Sequence, residues 1–193
     1  RLQRMNNYRA RLGIDIDGTV TSPAALLPHL NEGFGLNLTL ADIREYDLTK
    51  AVKVDHETFA KWWNTVENHV YATSPVHSNA QQILKQWQNQ FELLYVSARG
   101  TDSYDTTKQW FEQHFIPYDD IHLIGSHYKI EKAKNLKVDA FFEDKHDNAV
   151  DIHEALDIPV LLFDSPWNQE PIPNGVIRVH NWMEANEWIQ RNF

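Results

Sequence analysis

The chain has no cysteine. That single absence removes disulfides, thiolate metal sites and cysteine nucleophiles together. Positive charge is scarce as well: Lys and Arg total 18 against 27 Asp and Glu, a formal charge of −9. Such a balance argues against a nucleic-acid backbone or an anionic membrane as the main partner, although a small anionic substrate stays open wherever local cations receive it. No apolar run approaches the roughly 20 residues of a membrane-spanning helix. Residues 1–11 are polar and basic, without the apolar segment of a secretory leader. A cytoplasmic protein with no membrane and no nucleic-acid partner is therefore expected. Internal repeats and low-complexity stretches are missing too, and 193 residues suit one core with an inserted lid better than two full domains.

Against this background one segment stands out. Gly13-Ile14-Asp15-Ile16-Asp17-Gly18-Thr19-Val20 places two carboxylates two positions apart, directly after an apolar run and directly before a glycine. Two anions at the mouth of a strand repel each other unless a hard divalent cation or a shared proton relieves them. Metal and phosphate chemistry is the first implication.

Apolar runs predict strands over residues 11–16, 91–96, 121–124, 140–142 and 160–163, with a weaker candidate at 176–179. Helical patterns at 104–114, 129–136, 148–156 and 182–191 alternate with them. That order predicts an α/β fold, a mainly parallel sheet with helices on both faces. Residues 21–90 are too long for an ordinary crossover and carry helix starts at Ser22-Pro23, at Thr39 with Asp42, and at Asp55. The expected organisation is a core of residues 1–20 and 76–193, with a small helical insertion at 21–75 and a helix within 76–87 leading back to the second strand.

Ligands of open parallel sheets collect beyond the carboxyl ends of the strands. The residues found there are Asp15 and Asp17, Ser97 and Arg99, and Glu143 and Asp144, with Lys129 after the third strand. Together they supply a carboxylate nucleophile, a second carboxylate, a hydroxyl, an ammonium and a further acidic pair, the parts that phosphoryl transfer requires.

Through Asp15-Ile16-Asp17-Gly18-Thr19, Ser97, Lys129 and Glu143-Asp144 in that order, nearly the whole chain resembles the haloacid-dehalogenase superfamily of phosphatases, with their Rossmann-like core. The insertion, the segment 39–48 and Tyr95-Val96-Ser97-Ala98-Arg99 are similar to those of bacterial nucleotidases grouped with the 5'(3')-deoxyribonucleotidases. The resemblance implies Asp15 as nucleophile and magnesium ligand, and Asp17 as general acid and base whose carbonyl also binds the metal. It further implies Ser97 and Lys129 as holders of the phosphoryl group, and a metal site closed by Asp144, with Glu143 second. The implied substrate is a small phosphate ester, a nucleoside or deoxynucleoside monophosphate, cleaved with Mg2+ through an aspartyl phosphate. Another small phosphate ester, or a catalytically silent metabolite-binding relative, is the alternative.

Blander readings accompany these residues. Lys129 competes with Lys132 and Lys134 on one predicted helix, and Arg99 either steers the phosphate or caps a loop. Asp147 and Asn148 start a helix or orient the metal site indirectly. Adjacent Trp62 and Trp63 point about 100° apart on a helix, so at most one faces a substrate and the other packs. Tyr46, Phe34 and Tyr71 are weaker candidates for that pocket. His29, His56, His69 and His77 lack zincin spacing and are expected at the surface. A dehalogenase has no need of Asp17, and a receiver module would be compact, without the insertion.

Overall fold

The computed structural model describes residues 8–193; residues 1–7 of the expected core lie outside the described residues. Among the described residues six strands form one sheet: β1 (Ala10–Ile14), β2 (Phe91–Ser97), β3 (Asp120–Leu123), β4 (Ala140–Glu143), β5 (Val160–Phe163) and β6 (Val176–Val179). Their order is β3-β2-β1-β4-β5-β6 and every pairing is parallel. Because β1 lies between β2 and β4, the strand order reverses beside it, and crevices open at such a reversal.

Strands β2, β4 and β5 are buried almost throughout, as expected of a sheet covered on both faces. One face packs Leu12, Ile14, Trp87, Phe142 and Trp182. The other packs Leu94, Val96, Phe141, Ile152 and Leu162. The covering helices are α4 (Ala80–Trp87), α5 (Tyr104–Gln113), α6 (Ile130–Asn135), α7 (His146–Leu156) and α8 (Trp182–Asn192).

Between β1 and β2 lie α1 (Leu27–Phe34), α2 (Thr49–Val52) and α3 (His56–Thr73). The Asp55 carboxylate accepts from the Thr58 amide at 2.7 Å and caps α3, while Thr39 and Asp42 form a reciprocal capping box. The expected helix start at Ser22-Pro23 is not realised. Ser22 Oγ accepts from the Ala24 amide in a local turn, and α1 begins later, where Pro28 occupies its first turn. Likewise α4 begins at Ala80, because Val76 forms an isolated antiparallel bridge with Thr21.

That bridge joins the two ends of the insertion. Nearby, Trp110 Nε1 donates to the Ser74 carbonyl (2.7 Å) and Thr106 Oγ1 to Asn68 Oδ1 (2.8 Å), tying α3 to α5. The insertion has its own small core of Leu30, Ile43 and Val52, with Phe34, Phe59 and Trp62 against it. No helix among the described residues is long and apolar enough to cross a membrane.

Candidate active site

Beyond Ile14 the strand ends and Asp15 follows beside the end of β4. Its amide still donates to the Phe142 carbonyl at 3.0 Å. One carboxylate oxygen accepts from Lys129 Nζ at 2.6 Å and the other from Thr19 Oγ1 at 3.0 Å. Lys129, 1% exposed, also donates to Glu143 Oε2 at 2.9 Å. Burial alone would lower its pKa, but Asp15 and then Glu143 outweigh burial and raise it. Lys134 is exposed and Lys132 half-buried on α6, and neither bonds to the acidic cluster, so Lys129 is the lysine that reaches the strand ends.

The acidic pair divides its work. Glu143 spends its oxygens on Lys129, on the amides of Asp144 and Lys145, and on Asn148 Nδ2. Asp144 is 3% exposed, yet its Oδ1 has no hydrogen-bond partner among the described residues. Its other oxygen lies against Gly18, whose φ is +79° and where any Cβ would overlap it. Both the backbone angle and the space require glycine there. Oxygens from Asp15, Glu143 and Asp144 lie within 4.8 Å of one another.

Crowded burial shifts these acids. Desolvation first, then the Glu143 charge, raises Asp15 to about 6 despite Lys129. Desolvation, followed by Asp15 and Glu143, pushes Asp144 well above the usual carboxylate range. With all four carboxylates ionised, as a bound cation would require, Asp15, Asp17, Glu143 and Asp144 face Lys129 and Arg99, leaving two negative charges for that cation to balance.

Arg99 has partners other than those expected. Its Nε and Nη2 bind the two oxygens of Asp17 at 2.9 and 2.8 Å, and its Nη1 donates to Thr107 Oγ1 at 2.9 Å. The Tyr71 ring covers the guanidinium at 3.8 Å, and the Tyr71 hydroxyl donates to Glu67 at 3.0 Å. Ser97, 1% exposed, accepts from the Arg99 amide at 3.1 Å and keeps its own O–H to donate.

Above these groups is a cavity of about 340 Å3, bounded below by Asp17, Arg99 and Asp144 and above by residues of the insertion. Trp63, Tyr46 and Tyr71 line it, with Leu26, Leu27 and Ile43. Trp62 does not line it; it packs on Phe34 and Phe59 inside the insertion. His77, expected at the surface, is half-buried and bonded to the Thr19 carbonyl at 2.9 Å.

The loop after β5 also contributes, through residues that sequence reasoning passed over. Asn168, fully buried, donates to the Asp144 and Phe163 carbonyls, both at 2.7 Å, and Trp167 Nε1 donates to the Asp144 carbonyl at 3.2 Å. An Asn in a loop after a core strand was the only available signal. Asn148 reaches Glu143, as an indirect orienting role requires, whereas Asp147 stays exposed beside His146.

The sheet order and the acidic strand ends define a haloacid-dehalogenase-like architecture. The haloacid dehalogenase-like family protein SP0104 of Streptococcus pneumoniae superposes with a TM-score of 0.68 at 13% identity, over 94% of this chain and 99% of that one. Bacillus subtilis YfnB, in a structure bound to magnesium, superposes at 0.60 and 13% identity, over 96% and 100%. At such identities the fold alone is shared.

Sequence narrows the class. Residues 9–193 match the family described as "5' nucleotidase, deoxy (Pyrimidine), cytosolic type C protein", and the chain belongs to it. A relative from Halalkalibacterium halodurans, named "Putative nucleotidase BH1399", is 46% identical over 179 residues, 93% of this chain and 92% of its own length. Membership makes this chain a hydrolase of the haloacid-dehalogenase-type nucleotidase class, whose substrates are small phosphate esters.

Proposed function

We propose that the chain hydrolyses nucleoside or deoxynucleoside 5'-monophosphates with magnesium, through an aspartyl phosphate on Asp15, in the cytoplasm. The observation that carries this reading is the buried Asp15–Lys129–Glu143–Asp144 cluster beneath an aromatic, largely apolar cavity. A hard divalent cation fits the donor set: among the described residues the ligands that converge there are carboxylate oxygens, and one buried oxygen of Asp144 has no hydrogen-bond partner. Asp15, Asp144 and the Asp17 carbonyl would hold it, with Glu143 engaged by Lys129 instead. When bound, magnesium offsets the repulsion between the Asp15 carboxylate and the phosphate dianion.

Every other step falls to the chain. An Asp15 oxygen attacks phosphorus as the ester P–O bond breaks, and Asp17 gives its proton to the departing alkoxide oxygen. Water then attacks the aspartyl phosphate, Asp17 takes the water's proton, and inorganic phosphate leaves with Asp15 restored. Ser97 donates its hydroxyl hydrogen and Lys129 its ammonium hydrogens to phosphoryl oxygens. The insertion, residues 21–75, acts as a cap that excludes bulk water and chooses the leaving group.

A cavity of about 340 Å3 is in the range of small-molecule sites. Trp63, with Tyr46 and Tyr71, offers aromatic surface to a base. A panel of phosphate esters with magnesium tests the reading: turnover should be greatest on nucleoside monophosphates, and inactivity on every nucleotide and sugar phosphate would overturn it.

A further inference from the structure

A general acid has to be aimed, and small misplacements of a catalytic group are costly. The Asp17 side chain is 35% exposed at the cavity edge, so packing does not fix it. Arg99 does. Its fork binds both Asp17 oxygens at 2.9 and 2.8 Å and so sets the position and the plane of the carboxylate, which a single-point cation cannot do.

Arg99 is itself clamped. Its side chain is 1% exposed, with Thr107 on Nη1, Tyr71 over its face, and its own amide and carbonyl bound to Ser97 Oγ and the Gly125 amide. All three side-chain nitrogens have protein partners, and its charge is matched by Asp17 until that carboxylate takes up the proton it delivers as the acid.

We infer that Arg99 is a positioning residue that aims Asp17 at the leaving-group oxygen, and not a phosphate-binding residue. The inference rests on the acid–base role proposed for Asp17. It has a chemical signature. A nucleoside alkoxide cannot depart without a proton, whereas p-nitrophenolate leaves readily without one. Because kcat/KM reports only the first transfer, loss of aim should weaken it for nucleotides selectively.

The test compares a nucleoside 5'-monophosphate with p-nitrophenyl phosphate, both with magnesium, in Arg99→Lys and Thr107→Val. Arg99→Lys should lower kcat/KM for the nucleotide on the order of thirtyfold, part of the usual acid–base contribution, and for p-nitrophenyl phosphate by less than about threefold. Inhibition by inorganic phosphate should stay within about twofold, and in an Asp17→Asn background Arg99→Lys should add nothing on the nucleotide. Thr107→Val, nearly isosteric and remote from the phosphate, should show the same selectivity at a few-fold size, which keeps the inference testable if Arg99→Lys misfolds.

Equal losses on both esters, weaker phosphate inhibition, or a further loss in the Asp17→Asn background would overturn it, as would unchanged kinetics in both variants. If the unmodified chain turns over neither ester, the phosphatase reading falls and this inference with it. Normal turnover with non-selective losses defeats the inference alone.

Discussion

The floor and the roof of the cavity are built from opposite chemistry. At the floor, charged groups meet at the ends of β1, β2 and β4, and most are buried and paired: Lys129 with Asp15 and Glu143, Arg99 with Asp17. The roof is aliphatic and aromatic, and the small core behind it is separate from the two that sandwich the sheet. The floor depends on angles and charge, which tolerate little change. The roof depends on area and shape, which can drift while the reaction stays the same.

Substitutions should separate the two regions, starting with the floor. Asp15→Asn should lower kcat by about 10^4 or more, with no trapped phosphoenzyme by intact-mass spectrometry; retained turnover would move the nucleophile elsewhere. Asp17→Asn should lower nucleotide turnover by about 10^2–10^3 while inhibition by inorganic phosphate persists. In the roof, Trp62→Ala should cost about 3 kcal/mol of stability in denaturant titrations with substrate preference unchanged, since it empties a packing site. Its neighbour should behave conversely. Trp63→Ala should raise KM for nucleotides about tenfold, roughly one lost stacking contact, with little effect on p-nitrophenyl phosphate.

The smallest expected effect is a pH dependence. Asp15 titrates at about 6 in the folded chain, raised from 3.8. Its neutral form therefore stabilises the metal-free fold below the unfolded value, and that contribution is lost as pH rises through about 6. Magnesium competes with this proton and with that of Asp144. The thermal shift produced by magnesium should accordingly be larger at pH 7.5 than at pH 5, and a shift independent of pH would place the metal away from Asp15 and Asp144.

The strands and the floor were legible because their signals are local. An apolar run ending in Asp-x-Asp-Gly, and an acidic pair ending the run at residues 140–142, name the strand ends whatever surrounds them, and β1, β2 and β4 end within two residues of expectation. Lys129 was legible only as one of three lysines on one predicted helix, and the family resemblance picked it out. The role of Arg99 was not legible, because Asp17 and Tyr71 reach it only through the tertiary fold, and Thr107, although nearby in sequence, carries no signal of its own. The same holds for Asn168, whose role exists only once β4 and β5 are adjacent. Helical spacing separated Trp62 from Trp63 but could not assign them, since which one packs depends on where Gly33 of α1 comes to rest; a Cβ there would overlap Trp62.

The Thr21–Val76 bridge bears on how such enzymes diversify. Because the chain leaves and rejoins the core at one paired point, the cost of closing the intervening loop rises only slowly with its length. A segment that begins and ends at that spacing leaves the strand order of the sheet as it is. The bridge thus works as a fixed socket: a different roof can be seated in it without moving the strand ends, provided that it still lays a ring over Arg99 as Tyr71 does.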